Sequence, residues 1–145
     1  MKILLVDDDE EFMYWLSTRL SEAGHEIFSA VEGDWALATW KTHHRFDCVV
    51  TDNLFPGKAV RNGRMLIDAI RAIDPGQPFV MQTTSASVDL PRGVPLLRKP
   101  YRIGRLLRML ASAKSQRLPL LDHPLTSQQI AGEINEFFGV EQNRR

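Results

Sequence analysis

The sequence predicts an α/β fold: a doubly wound, five-stranded parallel sheet in the order 2-1-3-4-5, with one extra helix at the C-terminus. Three observations carry this. Short apolar runs that read as strands alternate with segments whose apolar residues recur at helical spacing, the pattern of parallel βαβ units with right-handed crossovers. The first, third and fourth runs, ILLV at 3–6, FDCVVT at 46–51 and FVMQT at 79–83, are the most apolar, so they belong at the centre, covered on both faces. Acids or hydroxyls follow these runs, at the edge where an open α/β sheet binds its ligands.

Each element has its own signal. After the first strand, Phe12, Leu16, Leu20 and Ala23 recur at helical spacing and Gly24 stops the run. HEIFSA at 25–30 is a short strand, and Gly33 to His44 is a second helix with Ala36, Leu37 and Trp40 on one face. The third strand ends at Asp52 and runs into a turn-rich stretch, NLFPGKAVRNG. Met65, Leu66, Ala69, Ile70 and Ile73 form the apolar face of a third helix, which DPGQP at 74–78 breaks. Residues 84–93 are small and polar with Pro91 and Gly93, so any helix there is brief. Val94 to Arg98 is a short fifth strand interrupted by Pro95, and Pro100 begins a helix with Ile103, Leu106, Leu107, Leu110 and Ala111 inward. The domain is therefore placed at 1–116. Residues 117–145 are read as linker and an amphipathic helix striped with Ile130, Ile134, Phe137 and Phe138. A lone helix of about 12 residues is marginal in water. It is expected to pack on its own domain or to build a homodimer through residues 119–145.

Composition narrows the function classes. A chain of 145 residues with 43% apolar and 25% charged side chains suits one domain with a real core. Lys and Arg balance Asp and Glu at 18 each, which gives no basis for broad attraction to nucleic acid or anionic membrane. Cys48 is the single cysteine and lies in the apolar setting FDCVVTD, so it reads as a buried, inert thiol in a reducing compartment. The apolar run behind Lys2 is shorter than the roughly 7–15 residues of a signal sequence. No run approaches the ~18 apolar residues of a membrane span. A cytoplasmic location is expected, without membrane or nucleic-acid partners.

The chemistry gathers at the strand ends. Asp7 and Asp8 follow the first strand, and adjacent carboxylates repel unless a cation such as Mg2+ sits between them; the alternative is an acidic helix start. The third strand delivers Asp52, the fourth Thr83 or Thr84, and the fifth Lys99. Three carboxylates around Mg2+ leave coordination positions for the oxygens of an incoming phosphoryl group, and Lys99 and Thr83 can hold others. Phosphoryl transfer needs mainly positioning and charge neutralisation, with one carboxylate as nucleophile. Asp9, Glu10 and Glu11 read as helix N-terminal acids, and the adjacent His43 and His44 as surface residues rather than metal ligands.

Residues 2–114 resemble a receiver domain of a two-component response regulator, of flavodoxin-like fold. The resemblance rests on ILLVDD at 3–8, VVTD ending at Asp52, Pro56 four residues on, Thr83 five residues after Pro78, and Lys99-Pro100. It implies that Asp7, Asp8, Asp52 and the backbone carbonyl of Leu54 hold Mg2+. Asp52 would accept a phosphoryl group from a histidine of a sensor kinase or a phosphotransfer protein. Lys99 would pair with the phosphate, Thr83 would act as the switch, and the Lys99–Pro100 bond would be cis. Such a protein catalyses only its own phosphorylation and dephosphorylation.

The chain departs from the family pattern in several places. The loop after Asp52 has an apparent three-residue insertion, and only fifteen residues separate Thr83 from Lys99, so the fourth helix is expected to be truncated or frayed. Leu96 stands at the usual aromatic switch position, and Thr84 where a smaller residue is common. Leu54 adds an apolar side chain that is expected to impede water and slow loss of phosphate. One competing reading is a degenerate receiver that binds partners without phosphorylation. Another is a haloacid-dehalogenase-type phosphatase built on Asp7-x-Asp9, which lacks the later acidic pair.

Overall fold

A computed structural model of the chain describes residues 1–116. Five parallel strands, β1 (Lys2–Val6), β2 (Glu26–Ala30), β3 (Cys48–Asp52), β4 (Phe79–Thr83) and β5 (Leu96–Arg98), form one sheet in the order β2-β1-β3-β4-β5. The helices are α1 (Glu10–Glu22), α2 (Gly33–His43), α3 (Gly63–Arg71) and α4 (Ile103–Gln116). The extra C-terminal helix expected beyond residue 124 lies outside the described residues.

The continuous apolar runs are explained by two cores, one on each face. Side chains alternate along a strand. Ile3, Leu5, Val50, Val80 and Leu97 therefore face α1 and α4, packing on Leu16, Leu20, Leu106 and Leu110. Leu4, Val6, Val49, Phe79 and Met81 face α2 and α3, packing on Ala36, Trp40, Leu66, Ile67 and Ile70. With both faces covered, no polar alternation survives in the sequence.

Helix starts and stops follow local chemistry. The Asp9 carboxylate accepts from Phe12 N at 3.0 Å and the Asn62 amide oxygen from Met65 N at 2.9 Å, capping α1 and α3. Gly24, at φ +93°, follows α1 in the left-handed conformation that closes a helix. Some periodic residues are not where the pattern put them. Ile73 lies past the end of α3 and is exposed, while Ile67 takes the buried place. Ala111 is exposed on α4, and Met109 and Ala113 pack against the core instead. α4 also begins three residues after Pro100, and β5 begins at Leu96 rather than Val94.

No helix forms between β4 and β5. Pro91, Pro95 and Gly93 (φ +77°) interrupt the segment. Side chains hold it in irregular form. The Arg98 guanidinium donates to the carbonyls of Ser85 and Ala86, and Arg64 on α3 pairs with Asp89 at 2.8 Å. The helix expected to be truncated or frayed between β4 and β5 is thus absent among the described residues.

The insertion after β3 is tied down. Asp34, in the first turn of α2, accepts from the backbone N–H groups of Lys58 (2.6 Å), Ala59 (3.1 Å) and Val60 (3.0 Å). These hydrogen bonds hold its carboxyl below the usual range. Gly33 lets the loop come this close: a Cβ there would lie 2.0 Å from the Val60 carbonyl oxygen. Asp34→Ala is expected to speed amide exchange at Lys58, Ala59 and Val60 while leaving β3 protected. Unchanged exchange in the loop would count against the clamp.

Candidate functional site

The strand register brings the sequence-predicted residues to one rim. Val6 pairs with Thr51, Asp52 with Gln82, and Thr83 with Arg98, so the residues leaving β1, β3, β4 and β5 emerge together. Asp7 is fully buried, Asp8 exposed and Asp52 in between. One carboxylate oxygen from each lies within 4.8 Å of the others. Lys99 Nζ sits 2.7 Å from Asp7 Oδ2 and 3.4 Å from Asp52 Oδ2, and 4.5 Å from the ring centroid of Phe12. The peptide bond between Lys99 and Pro100 is cis, as the resemblance implied.

Burial and like charge together set the electrostatics of this site. Burial and the neighbouring Asp7 charge push the Asp52 carboxyl up to about 6, even though Lys99 and the Asn53 N–H (2.7 Å) favour its ionised form. Burial alone would lower the Lys99 pKa. Its hydrogen bond to Asp7 and the charges of Asp52 and Asp7 outweigh that and hold the ammonium above its ordinary value. One ammonium therefore serves two inward-facing carboxylates, with the Asp8 carboxylate alongside. The surplus of negative charge, presented entirely as carboxylate oxygen, fits a hard divalent cation such as Mg2+ and no soft metal.

Thr83 joins this cluster through its backbone. It ends β4 and is buried; its hydroxyl accepts from Ser85 N at 2.9 Å, and its carbonyl accepts from Lys99 N at 2.9 Å. Thr84 is exposed. Leu54 is 61% exposed and bridges to Asn62 across the loop, beside the rim. Gly63 packs against the acceptor strand, where an added Cβ would lie 2.5 Å from the Asp52 carbonyl oxygen. His43 and His44 are exposed and Cys48 is buried.

Sequence reasoning missed the partners beneath Asp7. Its Oδ1 accepts from Asp9 N at 2.9 Å. Its Oδ2 also accepts from Gln82 Nε2 at 3.2 Å, and Tyr101 donates its hydroxyl to Gln82 Oε1 at 2.6 Å. The available signal was an amide in a strand otherwise read as buried on both faces.

The comparisons with known proteins agree with this geometry. The model for the response regulator receiver domain matches residues 3–110. The transcriptional regulatory protein PrrA of Mycobacterium tuberculosis is 34% identical over 88 residues, 61% of this chain and 36% of that protein. The response regulator protein FleR of Pseudomonas aeruginosa is 32% identical over 126 residues, covering 81% of this chain and 25% of its own length. The chain thus spans a quarter to about a third of these relatives. Among solved structures, a response regulator receiver protein from Sinorhizobium medicae superposes with a TM-score of 0.72 at 26% identity, covering 81% of this chain and 97% of its own. The receiver domain of NtrX from Brucella abortus gives 0.69 at 29% identity, covering 79% and 98%. A family match over most of the chain, joined to this sheet order and this acidic rim, places the chain in the response regulator receiver domain family of two-component signalling.

Proposed function

We propose that this receiver takes a phosphoryl group from a phosphohistidine of a sensor kinase or phosphotransfer protein onto Asp52, and signals through protein–protein contact. The observation that carries the reading is the convergence of Asp7, Asp8 and Asp52 on one point with Lys99 between two of them. Asp7, Asp8, Asp52 and the Leu54 carbonyl would hold Mg2+. The bound ion would supply positive charge that neutralises the carboxylates and the phosphoryl oxygens.

The chain's own groups do the rest. An Asp52 carboxylate oxygen attacks phosphorus, the bond from phosphorus to the donor's imidazole nitrogen breaks, and that nitrogen leaves with the electron pair. Lys99 moves its hydrogen bond from Asp52 to a phosphoryl oxygen. The Thr83 hydroxyl gives up the Ser85 N–H and donates to another. Asp52 must be ionised to attack; burial and the Asp7 charge raise its pKa, and the positive charge that a bound Mg2+ would supply favours the ionised form. The chemistry is confined to the protein's own phosphorylation and dephosphorylation, which leaves no turnover of a generic phosphate ester. Among the described residues no helix is long and apolar enough to cross a membrane.

The retained acids and lysine argue against a receiver that works without phosphorylation, the reading that Leu96 and the missing helix between β4 and β5 would favour. Incubation with acetyl phosphate and Mg2+ is expected to add one phosphoryl mass to the chain and none to Asp52→Asn. Absence of labelling in the unaltered protein would favour the phosphorylation-independent reading.

A further inference from the structure

We propose that Gln82 and Tyr101 are positioning residues: a buried hydrogen-bonded strut that keeps the Asp7 carboxylate aimed at the metal site, both in the resting domain and when Lys99 turns toward a phosphoryl group. This rests on the metal-site reading above.

Gln82 occupies a β4 position that packing alone would give to an aliphatic residue. It is fully buried and lies on the sheet face whose other central residues are Val50, Val80 and Leu97. An amide in such a layer is costly unless both its ends are paired. Here they are paired in a defined direction. A carboxylate only accepts, so the amide nitrogen must face Asp7. The amide oxygen is then left for Tyr101, whose hydroxyl must donate. Burial, with Asp7 and Asp52 nearby, raises the Tyr101 pKa and keeps that donor proton in place. The Tyr101 ring is itself braced edge-on by Phe12 (centroids 6.1 Å apart) and by Trp15 (6.5 Å).

Lys99 and Gln82 share the same oxygen, Asp7 Oδ2. Lys99 has a second acceptor, Asp52, and is the partner a phosphoryl group would draw away. Among the described residues Gln82 donates to no other acidic group. Once Lys99 leaves, Gln82 is the remaining side-chain donor to Asp7 among the described residues, alongside the Asp9 N–H on Oδ1. Without it the carboxylate can rotate off its aim. Partners behind a metal ligand commonly change metal affinity by 10-fold or more.

The test is a Mg2+ titration of the full chain followed by tryptophan fluorescence, Trp15 being adjacent to Tyr101. Gln82→Leu is expected to weaken Mg2+ binding about tenfold, and Tyr101→Phe, which keeps the ring and its contacts, about threefold. The double variant is expected to match Gln82→Leu, because both changes cut one strut. A role in packing alone would lower the thermal midpoint and leave the Mg2+ dissociation constant unmoved. Unaltered Mg2+ affinity in Tyr101→Phe and in any folded Gln82→Leu, or losses that multiply in the double variant, would overturn the proposal. An unaltered protein that binds no Mg2+ would instead sink the metal-site reading, and the strut's role with it.

Discussion

Lys99→Ala is expected to destabilise the metal-free domain by about 3 kcal/mol at pH 7, because removing one partner of a buried ion pair leaves an uncompensated charge. Lys99 is the hydrogen-bonded cation for Asp7, which has no exposed surface, and it also reaches Asp52. Its loss leaves two inward carboxylates with only N–H donors between them and the core. For a domain of this size the thermal midpoint should fall by about 10 °C. Two conditions should return part of the loss. Mg2+ supplies the missing positive charge, and acidification lets Asp52 take a proton. Urea midpoints at pH 7 and pH 5, with and without Mg2+, check this. A loss that neither condition eases would mean that Lys99 acts through packing on Phe12 rather than through charge.

Asp52→Asn is expected to act in the opposite direction. The folded domain holds the Asp52 proton up to about pH 6, whereas the unfolded chain releases it near the model-peptide value of 3.8. Between those values the native state binds more protons than the unfolded state, so stability falls as pH rises through that window and stays low above it. The full shift would correspond to about 3 kcal/mol. Asp52 retains solvent contact, so screening reduces this to about 1–2 kcal/mol. Asparagine has no charge to penalise. The variant should therefore be more stable than the unaltered protein at pH 7 without Mg2+ and equal to it at pH 4. Mg2+ should narrow the gap at pH 7, because the ion favours the carboxylate. Parallel stability profiles across pH 4–8 would show that the site does not strain Asp52.

Much of this architecture was legible because it is repetitive. The alternating runs predicted parallel strands, the apolarity of the first, third and fourth put those at the centre, and that arrangement carried Asp7, Asp52 and Lys99 to one edge. That any helix before β5 would be brief was legible from Pro91 and Gly93, since their effect is local, although its complete absence was not. What escaped was set by distant partners. Nothing near Asp34 in the chain announces that it will clamp Lys58 to Val60, and nothing near Gln82 names Tyr101 as its donor. Exact boundaries escaped too: α3 stops before Ile73, so that residue's helical spacing places it on a face the helix no longer has. Thr83 is an intermediate case. Its place at the end of β4 was readable, but its hydroxyl's present bond to the Ser85 N–H depends on a turn that periodicity does not describe.

The most direct test of the account locates the phosphoryl group. After incubation with acetyl phosphate and Mg2+, borohydride reduces an aspartyl phosphate to homoserine, and the converted residue can be identified by peptide mass mapping. Conversion at Asp52 alone, abolished when Mg2+ is chelated, is the predicted result. Conversion at Asp7, Asp8 or Asp9, or conversion at Asp52 that is indifferent to Mg2+, would contradict it.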